Sequence, residues 1–237
     1  MRHLVAVLSV TCLFAVSAGA DDFNPPPWRG QPLSVEAEWD FELGDPSPPP
    51  PSTGLVPSFF NAVGGSGDET LSDFFTHIDG NGTYVPDPDG AGPKGAGFNF
   101  TGGAVHVANW IDDEPYKDIR IQVTGYILEG GQDPGTPPDW ELVPGEGATW
   151  DATGPVTWTL TDSDYNRDPE TGIIQTWSDY HMLPNPDFET FQLTDIPSGV
   201  VIDQIYVDTV SAPEPTTIGL LAIGALGLAG RRRRRTA

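Results

Sequence analysis

Ser34-Val35-Glu36-Ala37-Glu38-Trp39-Asp40-Phe41-Glu42-Leu43 alternates apolar and polar residues without a break. A period of two puts Val35, Ala37, Trp39, Phe41 and Leu43 on one face of an extended chain. Glu36, Glu38, Asp40 and Glu42 fall on the other. The segment therefore reads as a half-buried strand with an acidic outer face.

The same period recurs downstream. Lys117 to Leu128 alternates Ile119, Ile121 and Val123 with Asp118, Arg120 and Gln122. Val156 to Thr161 sets Val156, Trp158 and Leu160 against three threonines. Thr149 to Asp151, Ile173 to Tyr180, Phe188 to Leu193 and Val200 to Val210 extend the set. Gly97 to Thr101 and Ala104 to Ile111 are expected to pair as a hairpin through Gly102-Gly103. With 25 prolines and 28 glycines in 237 residues, long helices are disfavoured and turns are frequent. The fold expected is all-β, an antiparallel sandwich with long Pro/Gly-rich loops. Gly44 to Pro57, with Pro48 to Pro51 in a row, is expected as an extended connector. One short helix is expected over Leu71 to Ile78, opened by Thr70. Asp79-Gly80-Asn81-Gly82-Thr83 and Asp87-Pro88-Asp89-Gly90 read as turns.

The two ends have a different composition. Met1-Arg2-His3, the apolar run Leu4 to Val16 and the small residues Ala18-Gly19-Ala20 form a secretory signal, cut by signal peptidase after Ala20. At the other end, Pro213-Glu214-Pro215 precedes an apolar segment, Thr216 to Gly230. Five arginines follow it: Arg231, Arg232, Arg233, Arg234 and Arg235. As a helix, the apolar segment reaches about 22 Å, short of the roughly 30 Å of a bilayer core. The arginines favour the cytoplasmic side. No polar face exists between Ile218 and Ala229, so the segment does not read as a surface-lying amphipathic helix. Both ends are expected to be short helices flanking the body at 21–212.

This three-part tail, 213–235, resembles the PEP-CTERM sorting signal. The resemblance implies that a membrane-embedded exosortase cuts near Pro213-Glu214-Pro215. The apolar segment would engage the membrane at least transiently, with Arg231, Arg232, Arg233, Arg234 and Arg235 as the cytoplasmic stop. The protein would pass to the cell surface or extracellular matrix. Separately, Asp187 to Leu193 and Val201 to Val210 resemble the closing strands of galactose-binding-like jelly-roll domains. That likeness implies a jelly-roll arrangement of the sandwich and carries no binding residue.

Composition bounds the chemistry. Cys12 is the sole cysteine and lies in the signal, so a mature chain has no disulfide, cysteine nucleophile or cysteine-ligated zinc. Without Arg2 and the five tail arginines, Arg29, Lys94, Lys117, Arg120 and Arg167 stand against 34 acidic residues, Glu214 included, a balance of −29 for the exported part. Such a surface repels nucleic acid and attracts cations.

Asp162, Asp164, Asn166 and Asp168 place oxygen ligands at alternate positions, as in a calcium loop. Arg167 and Ile173 stand where an EF-hand needs Gly and Glu, so a simple calcium loop competes with ordinary turn chemistry. Trp140 and Trp150 flank an expected loop, Glu141 to Ala148, and are candidates for stacking on sugar rings. Trp39, Trp110 and Trp158 lie in strands and read as core. His77, His106 and His181 are far apart in sequence and match no zinc motif. Ser163 and Ser178 have no nucleophile-elbow glycines around them. The reading is a non-enzymatic exported module, structural or polysaccharide-binding. The alternatives are a secreted glycan hydrolase using paired carboxylates, and an ice- or surface-adhesive module.

Overall fold

A computed structural model describes residues 22–41, 55–64, 69–72, 75–86, 96–142, 156–186, 188–194 and 196–212. The signal segment with Ala18 and Ala20, the proline connector up to Thr53, Asp87 to Gly90, and Thr149 to Asp151 with Trp150 lie outside the described residues. So does the tail from Pro213, including its apolar segment and Arg231, Arg232, Arg233, Arg234 and Arg235.

The strands are β1 (Ser34–Asp40), β2 (Phe59–Val63), β3 (Thr70–Leu71), β4 (His77–Val85), β5 (Gly97–Ala108), β6 (Trp110–Ile111), β7 (Tyr116–Ile127), β8 (Asp139–Leu142), β9 (Thr157–Arg167), β10 (Ile173–Leu183), β11 (Phe188–Thr194) and β12 (Val200–Ala212). β3 and β6 form a small ribbon. The other ten make one hydrogen-bonded sheet in which every pair is antiparallel. That sheet folds over on itself into two layers, β2-β1-β12-β7-β10-β9 and β4-β5-β11-β8.

The fold-over is set at one place. β12 pairs with β5 through Ile202 and Phe98, then with β1 from Gln204 onward along the same edge. Between the two, the β12–β7 register slips by one residue at Asp203, a bulge that bends the strand. Phe41, just past β1, donates its amide to the Asp203 carbonyl at 3.1 Å. Only glycine fits on either side of this corner. A Cβ on Gly125 would lie 2.2 Å from the Val201 carbonyl oxygen, and one on Gly97 would lie 2.5 Å from that of Ile202.

Alternation then fills the interior. Val35, Ala37 and Trp39 from β1, Ile119, Ile121 and Val123 from β7, and Ile205 and Val207 from β12 face Val105, Val107, Phe191 and Leu193 of the other layer. Trp39 is fully buried, while Trp110 and Trp158 pack against the core from its margins. Layers packed this way form an antiparallel sandwich.

Several local expectations give way. The helix expected over Leu71 to Ile78 is replaced at both ends among the described residues: Thr70–Leu71 pairs with Ile111 and Trp110, and His77 and Ile78 belong to β4. A helix of eight residues has little intrinsic stability, whereas β5 offers a whole edge to pair with. Asp79 to Thr83 is strand rather than turn, carrying a bulge between Asn81 and Gly82. Gly102-Gly103 turns no hairpin, since β5 runs straight through and both its halves pair with β4. β2 was not expected, its Phe59 and Phe60 being adjacent and both exposed.

Candidate functional site

The described cations are committed to structure. Arg29 grips Asp208 with two bonds of 2.6 Å, pairs with Asp22 and stacks over the Tyr206 ring. Arg120 holds Asp179 at 2.6 and 2.7 Å, donates to the Asn24 carbonyl and stacks over Trp177. These contacts pin residues 22–33 to the outer face of the larger layer. Lys117 is fully buried with Glu189, and Arg167 bonds Asp133 at 2.5 Å.

The segment suggested as a calcium loop is extended. Asp162, Asp164 and Asn166 lie on β9, where alternate residues stand about 7 Å apart and do not converge. Asp162 and Asp164 each accept the amide of the next residue. Asp168 begins the β9–β10 turn and accepts the amides of Glu170 and Thr171, which holds its carboxyl below the ordinary range. Asp133 accepts the Tyr165 hydroxyl at 2.7 Å, and burial together with this carboxylate pushes the phenol up to about 12. The backbone of Trp140 is on β8, paired with Leu193, and Glu141 continues that strand rather than opening a loop.

A constellation absent from the sequence reading lies on the smaller layer. His77 and Asp79, two apart on β4, share a face, and His106 on β5 stands directly opposite His77 in the ladder. The imidazoles are parallel to within 7° with centroids 4.3 Å apart. Asp79 Oδ2 lies 3.2 Å from His77 Nε2 and 3.4 Å from His106 Nε2. His77 Nδ1 sits 2.6 Å from the Phe75 carbonyl, and His106 Nδ1 sits 3.0 Å from Thr190 Oγ1. Thr190 is the register partner of His106 on β11, so one row across three strands builds the group. The donor atoms of His77, Asp79 and His106 lie within 4.8 Å of one another. His106 is buried, His77 half-buried, and the Asp79 carboxylate opens to solvent. A signal was present: a polar His106 between Val105 and Val107, and a His-x-Asp at strand spacing. Sequence separation hid the pairing. His181 is elsewhere, 2.8 Å from Asp118 Oδ1.

Among the described residues no helix is long and apolar enough to cross a membrane. No curated protein and no solved structure matches the chain. A family model for the PEP-CTERM protein-sorting motif matches residues 211–234. The match takes in Pro213, Glu214 and Pro215, the apolar segment, and Arg231, Arg232, Arg233 and Arg234, and it stops one residue before Arg235. The chain therefore ends in the tail that marks exported substrates of exosortase.

Proposed function

We propose that the protein is a non-catalytic module displayed at the cell surface or in the extracellular matrix, where its sandwich binds polysaccharide or serves as structural material. The observation that carries this is the continuity of motif and fold. The sorting motif starts at Ser211, while Ser211 and Ala212 are still paired with Lys117 and Tyr116 in the β12–β7 ladder. The folded body is thus joined to its sorting tail without a spacer.

Two further features support the reading. β1 beside β12, and β5 beside β11, place early strands against late ones, the winding of paired Greek keys in jelly-roll domains. The commitment of Arg29, Lys117, Arg120 and Arg167 to ion pairs leaves an acidic exterior suited to neutral sugars and cations. The test is co-sedimentation of the purified protein with extracellular polysaccharide from the producing cells. Retention that falls in Trp140→Ala supports binding. Release of reducing sugar from that polysaccharide would show a hydrolase and overturn the non-catalytic reading.

A further inference from the structure

We propose that His77, Asp79 and His106 bind one divalent transition-metal ion of the zinc class, through two imidazole Nε2 atoms and one carboxylate oxygen. The argument starts from the tautomer. A carbonyl oxygen only accepts, so His77 Nδ1, 2.6 Å from the Phe75 carbonyl, carries a proton. In the neutral ring its Nε2 is then a lone pair, and this atom faces the Asp79 carboxylate at 3.2 Å. Two acceptors at that distance repel unless a positive charge lies between them. The same carboxylate oxygen faces His106 Nε2 at 3.4 Å.

One cation placed between the three groups would contact all of them, since their donor atoms lie within 4.8 Å of one another. A single dication takes both lone pairs and neutralises the carboxylate at once. An ion about 2.1 Å from each donor in a tetrahedral site sets its donors about 3.4 Å apart. The two His–Asp separations already match. The parallel rings must splay to aim at one point.

The supporting contacts are those metal-binding histidines use. Each ring has its far nitrogen in contact with a polar group, the Phe75 carbonyl on one side and the Thr190 hydroxyl on the other, as metal-binding histidines have. The donor set decides the metal. Two imidazoles with one carboxylate suit zinc, nickel or copper, whereas calcium and magnesium demand oxygen ligands throughout. Three protein ligands leave a coordination position on the solvent side of Asp79, whose side chain is 59% exposed. The −28 balance of residues 21–212 concentrates dications around that opening.

The test uses the full-length protein purified without a histidine tag and stripped with EDTA. Calorimetric titration with zinc chloride is expected to show one equivalent bound and a raised melting temperature, reversed by EDTA. Nickel and copper should do the same, while calcium and magnesium at equal concentration should give no shift. Asp79→Asn alters an exposed side chain and should fold, His77→Ala removes a half-buried one whose folding is checked by its melting curve, and each should weaken zinc by at least about 100-fold. Thr190→Val should weaken it about 10- to 100-fold, and His181→Ala should leave it unchanged. Cobalt provides a second readout, a visible absorption band that the Asp79→Asn protein lacks. Failure of the native protein to take up zinc overturns the site, as does undiminished uptake by the combined His77→Ala, Asp79→Asn variant.

Discussion

Lys117 on β7 and Glu189 on β11 hold their charges 3.0 Å apart across the two layers, and neither side chain reaches solvent. Lys117 also donates to the Pro186 carbonyl at 2.8 Å. Glu189 Oε2 accepts no hydrogen bond among the described residues. Burial outweighs the attraction of Lys117 and pushes the Glu189 carboxyl up to about 7.

Breaking this pair should cost more than removing it. Lys117→Met strands a buried carboxyl, and a loss of about 3–5 kcal/mol is expected in denaturant unfolding at pH 8. At pH 5 the same variant should lose less, because Glu189 can then be neutral. Lys117→Met combined with Glu189→Leu should fall well short of the summed single losses. Strict additivity would mean that the two groups do not interact.

Stability should fall from pH 5 to pH 8. Burial raises Glu189 to about 7 and Asp208, despite Arg29, to about 6. Both therefore keep protons in the folded chain that the unfolded chain has already released. The stabilisation they give is complete below the ordinary carboxylate range and is lost as pH rises through about 6 to 7. Asp133 and Asp168, lowered by hydrogen bonds at the surface, act in the opposite sense and only in stronger acid. Thermal melts should show a higher midpoint at pH 5 than at pH 8, with a smaller difference in Glu189→Gln. A midpoint that climbs over this interval would contradict the assignment.

The corner at β12 should tolerate no side chain. Gly125→Ala drives a methyl onto the Val201 carbonyl and is expected to cost about 1–3 kcal/mol or more in urea unfolding. Gly130→Ala is a contrast, since its Cβ meets nothing within 4 Å although its φ is +80°. The Gly130 loss measures backbone conformation alone, so a smaller loss at Gly125 would contradict the close approach.

Replacing Pro213, Glu214 and Pro215 by alanine should leave full-length protein in the membrane fraction. Immunoblots of fractionated cells measure this, and unchanged release would remove the triplet from the sorting step.

Strands with one apolar face were legible because alternation reports burial directly. Val35 to Trp39, Ile119 to Val123 and Ile205 to Val207 all proved to be core. The tail was legible because its order is a linear signal. β4 was not: Asp79, Gly80, Asn81 and Gly82 have turn composition and are held extended only by pairing with β5. The His77–Asp79–His106 group needed the same ladder. Nothing local says that residue 77 faces residue 106, and the alternate acids of β9 looked more like ligands until their strand geometry spread them apart.

The absence of a spacer between β12 and the sorting motif has a mechanical consequence. A force applied through the tail enters the body at Ala212 and runs along β12. That strand is clamped by β7 along its length and by β1 from Gln204 to Val210. The ladder bonds lie across the direction of pull, so they share the load in shear instead of opening one after another. The strand that closes the fold is also the one that would bear the load of a tethered protein.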